Sequence, residues 1–320
     1  MTLPLVSIIC LCYNHEKFLE EALLSLLAQD YPNKEIIIVD DRSTDGSVVV
    51  IEKLIRQYPE IVFIRHEVNL GNCTSFNQAF ERSKGSFIID FATDDVMLPE
   101  MISKQVNLFL SLPQNYGVVY SDAEIISEEG KLLGYHHRGT SKASLHPEGD
   151  VFKEVLKQYF ICPPTMMMRR AVLERTHGYD ATLAYEDFNF WIVSARDFFY
   201  AFIPEALVKR RVVKKSFSLA FYTRYNTRLF ETTLLVLNKA FALCRTQEEK
   251  NILTGRVLFE MRHAMLMEEF SLAEGYKKLL RSLGAYTGIA PVLYFIGKYK
   301  IKLFWLYRVL LRLKGVYKLR

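Results

Sequence analysis

In the first hundred positions, apolar residues fall into short continuous runs separated by stretches of helical periodicity. Residues 5–11, 35–39, 61–65 and 86–91 form such runs, the pattern of strands buried on both faces. Between them, residues 16–28, 47–58 and 74–83 read as helices. In the first, Phe18, Leu19, Ala22, Leu23 and Leu26 make one stripe, as a helix covering a sheet requires. The alternation predicts an α/β fold, a parallel sheet wrapped by helices. Three strands run into polar clusters: Tyr13-Asn14, Asp40-Asp41 and Asp94-Asp95. Ligands of such sheets bind beyond the carboxyl ends of the strands, so the clusters should face one crevice.

After Pro99 the pattern loosens. A helix is expected over 101–111, strands over 117–120 and 124–126, and a polar loop over 134–149 holding His136, His137 and His146. These histidines lack zinc spacing. A strand follows over 164–169, a helix over 186–195 with Phe188, Trp191 and Ile192 inward, and a strand over 207–213. From 219 onward the periodicity is helical. The expected division is an α/β domain over 1–215 and a helical region over 216–320.

Composition adds three constraints. The 320 residues are half hydrophobic, without repeats or low-complexity tracts, so a sizeable core can form. The net charge of +5 is uneven: residues 275–320 hold eleven Lys and Arg and no acid, leaving thirty basic against thirty-six acidic side chains before them. A basic tail implies an anionic partner surface. Lys298, Lys302, Arg308 and Arg312 share one helical arc with Trp305 and Val309, which favours a membrane interface. No nucleic-acid module is present. The five cysteines, Cys10, Cys12, Cys73, Cys162 and Cys244, are odd in number and form no CxxC pair, which implies a reducing compartment. No run reaches the ~20 apolar residues of a spanning helix, and the N-terminus reads as a strand rather than a signal peptide. The expected location is cytoplasmic, peripheral on the membrane face. Nothing in the sequence sets an oligomeric state.

Adjacent carboxylates at a strand end repel one another. A divalent cation with oxygen preference offsets that repulsion at Asp94-Asp95 and bridges phosphates; a solvated turn with a helix cap is the alternative. Asp40 is placed to accept a hydrogen bond from a base N–H, and Tyr13 to stack on that base or to sit on the rim.

The text Val6-Ser7-Ile8-Ile9, Tyr13-Asn14, Ile38-Val39-Asp40-Asp41-Arg42-Ser43-Thr44-Asp45-Gly46, Asn69-Leu70-Gly71, Asn77-Gln78-Ala79, Gly85-Ser86-Phe87-Ile88 and Thr93-Asp94-Asp95 resembles the inverting family 2 glycosyltransferases. Gly178-Tyr179-Asp180 and Glu186-Asp187-Phe188-x-x-Trp191 resemble that family's acceptor-side motif. The resemblance covers roughly residues 3–215. It implies a GT-A fold, a Rossmann-like, mostly parallel sheet flanked by helices, here followed by a helical C-terminal region. It also implies Mn²⁺ or Mg²⁺, a nucleotide-diphosphate sugar donor (UDP-sugar favoured), and a saccharide or lipid-linked acceptor in surface polysaccharide or lipopolysaccharide synthesis. Tyr13, Asp40 and Asp41 would contact the nucleoside, Asp94 the ribose or metal, and Asp95 the metal. Asp187 would be the general base and Glu186 would hold the acceptor. Trp191 would pack a sugar ring or fill the core. Two positions depart from the family pattern. Ala92 stands where many members carry an acidic residue, and Val213 where members often carry a histidine. Arg211, Lys214 or Lys215 would then neutralise phosphate, or form a solvated basic loop. Two other readings are a sugar nucleotidyltransferase, against which the absence of a Gly-rich basic loop after the first strand argues, and a non-catalytic nucleotide-sugar-binding module, against which Asp95 and Asp187 argue.

Overall fold

The structure is a computed structural model and describes residues 3–137, 146–213 and 226–313. The chain divides into two compact units. The first comprises Met1–Val151, Phe160–Thr182 and Val193–Val212; the second comprises Phe152–Tyr159, Leu183–Ile192 and Val213–Arg320.

In the first unit, β1 (Val6–Cys12), β2 (Lys34–Asp40), β3 (Val62–Arg65) and β4 (Phe87–Ala92) lie in the order β3-β2-β1-β4, all parallel. Strand β1 is buried at every position, which is why its text is a continuous apolar run. Helices α1 (Glu16–Leu27), α2 (Ser47–Gln57) and α3 (Asn72–Arg82) make the crossovers. Leu19, Leu23 and Leu26 of α1 pack in one cluster with Ile8, Ile38, Ile89 and Phe91. Each such side chain contributes about 1.5–3 kcal/mol of burial. The register sets Cys12 beside Asp40 and Leu11 beside Ala92. The three polar clusters therefore leave the sheet on one edge.

Beyond β4 the sheet is mixed. It adds β5 (Val96–Met97), β6 (Tyr116–Ile126), β7 (Leu132–Tyr135), β8 (Met167–Arg169) and β9 (Phe199–Arg211). Strand β8 is antiparallel to β4 and β6, β9 is parallel to β6, and β5 and β7 pair antiparallel with β9 and β6. The segments expected at 117–120 and 124–126 are one strand, because Ser121 and Asp122 are buried in mid-strand. The strand expected at 207–213 is the end of a 13-residue one. Strand β7 occupies the start of the expected 134–149 loop. Strands β5 and β7 are too short to show a period; their pairing comes from tertiary context.

The second unit is helical: α5 (Phe152–Lys157), α8 (Thr227–Leu243), α9 (Gln247–Leu266), α10 (Ala273–Ser282), α11 (Ala290–Lys298) and α12 (Phe304–Leu313). It also holds the first residues of α7 (Asp187–Ser194). Helices α4 (Met101–Ser111) and α6 (Arg170–Thr176) belong to the first unit. Helix α9 packs against α5, α8, α10 and α11. It starts with a capping box between Thr246 and Glu249, which fixes its first turn. Two segments from before residue 215 thus cluster with the helices rather than with the sheet. Among the described residues, no helix is long and apolar enough to cross a membrane.

Candidate active site

The sheet edge is built by side chains that staple the β1 and β2 loops together. Asn14 is left-handed at φ 58, a conformation that asparagine tolerates. Its Oδ1 accepts from Thr44 N at 2.7 Å, while its own N–H donates to Ser43 Oγ at 2.9 Å. Glu16 and Asp45 cap reciprocally: Glu16 N donates to Asp45 Oδ2 at 3.1 Å and Gly46 N to Glu16 Oε2 at 2.9 Å. A Cβ on Gly46 would sit 2.3 Å from Glu16 Oε1, so a side chain there would displace the Glu16 carboxylate from this cap. Burial pushes the Asp45 carboxyl up. Hydrogen bonds from Ser47 and Glu16 outweigh this and hold it below its ordinary value. Thr93 Oγ1 donates to Leu11 O at 3.0 Å and lies 2.9 Å from His15 Nδ1. A hydroxyl has one proton, so Nδ1 is the donor in that contact.

Asp40 and Asp41 have opposite fates. Asp41 Oδ1 accepts from His66 Nδ1 at 2.9 Å and Leu70 N at 2.8 Å, and Oδ2 accepts from Gly71 N at 2.8 Å. Its carbonyl accepts from Asn69 Nδ2 at 3.0 Å. Asn69-Leu70-Gly71 is thus the loop that Asp41 holds at the N-terminus of α3, where a carboxylate is favoured. Asp41, expected near the nucleoside, is spent on that loop. Asp40 is fully buried; its Oδ2 accepts from Ser43 N at 3.0 Å, and its Oδ1 has no hydrogen-bond partner. Tyr13, just beyond β1, is 48% exposed.

Asp95 is buried and Asp94 is half-buried. Burial, then the charge of Asp94, push the Asp95 carboxyl well above the carboxylate range. The Arg211 N–H and the charges of Arg210 and Arg211 counter this only in part. Arg211 N donates to Asp95 Oδ1 at 2.7 Å and Arg211 Nε to Asp94 O at 2.9 Å. Its other nitrogens donate to Glu21 Oε2 at 2.6 Å, Glu128 O at 3.0 Å and Ser127 O at 3.3 Å. The guanidinium also stacks 4.7 Å above the Phe18 ring. Expected to meet phosphate, Arg211 instead ties the end of β9 to the Asp94-Asp95 turn. The cavity of about 330 Å³ beside it is lined by Glu21, Glu128 and Glu129, with Lys17 as the other cation. Three carboxylates make it a poor place for a diphosphate. Lys214 and Lys215 lie outside the described residues.

Glu186 and Asp187 belong to the second unit and are half-buried, Asp187 in the first turn of α7. The segment before them is pinned. Ala184 N donates to Thr232 Oγ1 at 2.9 Å, and Tyr185 OH lies 2.8 Å from Thr233 Oγ1. Burial pushes the Tyr185 phenol up to about 12. The Arg256 guanidinium lies 4.3 Å above Tyr159 and 4.7 Å above Phe188, with its Nε donating to Glu260 Oε1 at 2.7 Å. Trp191 is 3% exposed, with its ring 5.7 Å from that of Tyr159. Of its two readings, the core one describes this position.

Sequence reasoning named the carboxylates but missed their partners. Nothing local pairs Glu21 with Arg211, 190 residues away, or His66 with Asp41. Asn77 is partly legible after the fact. Its amide brackets Tyr179, with Nδ2 donating to Tyr179 O at 2.7 Å and Oδ1 accepting from Tyr179 N at 2.8 Å. Gly178 has φ 72, and a Cβ there would meet Asn77 Oδ1 at 2.4 Å. The recurrence of Asn77 and Gly178-Tyr179 as separate motifs is one contact.

The profile of Glycosyl transferase family 2 matches residues 7–176. An uncharacterized glycosyltransferase of Haemophilus influenzae is 29% identical over 316 residues, spanning 94% of this chain and 93% of that protein. Among solved structures, S. aureus TarS 1-349 in complex with UDP-GlcNAc matches with a TM-score of 0.71 at 18% identity, over 93% of this chain and 89% of that one. The mannosyltransferase PcManGT from Pyrobaculum calidifontis, in complex with GDP-Man and Mn²⁺, matches with a TM-score of 0.61 at 16% identity, over 93% and 85%. At that identity the structural matches establish the fold, which is of GT-A type. With the family profile spanning more than half of its residues, the chain belongs to glycosyl transferase family 2.

Proposed function

We propose that this chain is an inverting glycosyltransferase that takes a sugar from a uridine-type nucleotide-diphosphate donor and places it on a hydroxyl of a saccharide or glycolipid. The observation that carries the donor half is the unpartnered, buried Asp40 Oδ1, on the strand position registered with Cys12, next to which the chain continues into the exposed Tyr13. A buried acceptor without a donor costs about 1–3 kcal/mol, more when charged. A base N–H repays that. Uracil offers one imide N–H, which suits one free oxygen, whereas guanine presents an N–H and an amino group side by side. Tyr13 supplies a face on which the base stacks. The uridine nucleotide bound by TarS is consistent with this choice.

The metal reading rests on donor chemistry. Burial and the charge of Asp94 disfavour the ionised form of Asp95, and a divalent cation with oxygen preference would offset both. Among the described residues no group of three or more His, Cys, Asp or Glu is placed to hold a metal ion by itself, so Asp94 and Asp95 would hold Mn²⁺ or Mg²⁺ together with diphosphate oxygens. When bound, the ion neutralises charge on the leaving diphosphate. PcManGT, which carries Mn²⁺, supports the same reading.

The chain's own part in the transfer is positioning and proton removal. The acceptor oxygen bonds to the anomeric carbon as the bond from that carbon to the diphosphate breaks. The diphosphate leaves with the electron pair, and the configuration inverts. The acceptor proton passes to the Asp187 carboxylate, a role that rests on the family motif at residues 178–191 and that general-base chemistry requires. Tyr185 and the Arg256–Glu260 pair hold the segment that presents Asp187. A lipopolysaccharide or surface-polysaccharide acceptor is the class that the family resemblance favours. Asp187→Asn is the test. Transfer from a UDP-hexose panel should fall about 10²- to 10⁴-fold, with UDP affinity changed less than about twofold. Undiminished transfer would remove Asp187 from the reaction.

A further inference from the structure

Helix α11 is already packed on one side. Ala290, Leu293 and Gly297 are buried at helical spacing, and a Cβ on Gly297 would lie 2.5 Å from Ala273 Cβ and 2.6 Å from Met265 Sδ. Its opposite face should then be polar, and it is not. Val292, Phe295 and Tyr299 follow one another at the same spacing and are 56, 53 and 59% exposed. In α12, which follows in the chain, Trp305 is 65% and Val309 44% exposed. Elsewhere among the described residues, exposed large hydrophobic side chains stand singly or in pairs along the sequence, which is ordinary; an aromatic run of this kind is not.

Cations are interleaved with these side chains. Lys298, Lys300, Lys302 and Arg308 are exposed, Lys298 Nζ lies 5.6 Å over the Tyr299 ring, and Phe295 and Tyr299 touch at 4.4 Å between ring centroids. No acidic residue follows Glu274. Each position on this face asks for hydrocarbon under its aromatic and for negative oxygen within one side-chain length of it. A folded protein partner satisfies that only residue by residue. A bilayer supplies it everywhere, with acyl chains beneath a sheet of phosphate.

We infer that the α11–α12 face is an interfacial membrane-docking surface for anionic lipid, with Phe295, Tyr299 and Trp305 entering the headgroup–acyl boundary and Lys298, Lys300, Lys302 and Arg308 pairing with lipid phosphates. This surface stands independently of the glycosyl-transfer reading, which rests on other residues. The full chain is sedimented with vesicles of phosphatidylcholine alone and with vesicles also containing phosphatidylglycerol. It should bind the anionic vesicles at least about tenfold more strongly, and added salt should weaken that binding. Lys298→Gln, Lys300→Gln and Lys302→Gln should each lower partition about fivefold, equivalent to about 1 kcal/mol. The triple variant Phe295→Ser/Tyr299→Ser/Trp305→Ser should lose binding while keeping the wild-type unfolding midpoint, since all three side chains are exposed. Equal affinity for both vesicle types, binding to neither, or binding untouched by the triple variant would overturn the assignment. So would a dimer in the absence of lipid that the triple variant dissolves.

Discussion

Two Asp-Asp pairs leave the parallel strands on either side of β1, at one edge of the same sheet. In the pair that follows β2, Asp41 is satisfied by two backbone N–H groups and His66, and only Asp40 keeps an oxygen without a partner. In the pair that follows β4, Asp95 is driven toward its acid form by burial and by Asp94, with Arg211 as a partial counterweight. The same dipeptide, at equivalent places in the topology, gives one closed structural account and two open ones. On the proposed function, a ligand contributes to the open ones: an N–H to Asp40 and a cation to Asp95. Carboxylate content alone would have ranked Asp41 with the others.

Substitutions can break or sharpen this contrast. The largest effect belongs to the closed residue. Asp41→Ala strands the N–H groups of Leu70 and Gly71 and the buried His66, and it should lower stability by about 3–5 kcal/mol in thermal or urea unfolding, with nucleotide affinity lost only through unfolding. A mild stability change would break the distinction. Asp95→Asn comes next and should have the opposite sign for stability. A carboxyl whose folded pKa is raised is destabilising when ionised, so the neutral isostere, still accepting from Arg211 N, should gain stability at neutral pH. It should also lose metal-dependent nucleotide binding by at least about a hundredfold. A less stable Asp95→Asn would mean that the repulsion is compensated elsewhere. Asp40→Asn should leave stability within about 1 kcal/mol while weakening UDP about 10- to 100-fold, because the amide turns a base-facing acceptor into a donor. The smallest effect is expected of Tyr13→Ala, about fivefold in UDP affinity with no change in unfolding midpoint, since the ring is half in solvent.

Much of this was legible before any fold was known, because β1, β2 and β4 are buried on both faces and write their burial into the sequence as apolar runs. Once those runs were set parallel, their polar ends had to converge. Elements whose existence depends on a partner were not legible: β5 has two residues, and β6 carries a buried Ser121-Asp122 that reads as a break. The same reason explains Arg211. Its sequence shows a basic cluster, whereas its donors are taken by Glu21 and by carbonyls of the β6–β7 turn. Trp191 looked equally suited to a sugar or to a core, and its burial beside Tyr159 follows from the helices around residue 256, about which residues 186–191 say nothing. The linear cut at 215 missed that residues 152–159 and 183–192 cluster with α8 and α9, because a domain made of chain segments far apart in sequence has no local signature.

The central claim is that the open accounts at Asp40 and Asp95 are those of a metal-assisted uridine-diphosphate site. Calorimetric titration of the full chain with UDP and GDP, each with Mn²⁺ and with EDTA, tests it most directly. UDP with Mn²⁺ should bind at least about tenfold more tightly than GDP with Mn²⁺ and than UDP in EDTA, a difference of about 1.4 kcal/mol or more. Indistinguishable heats for UDP and GDP, unaltered by removing the metal, would contradict it.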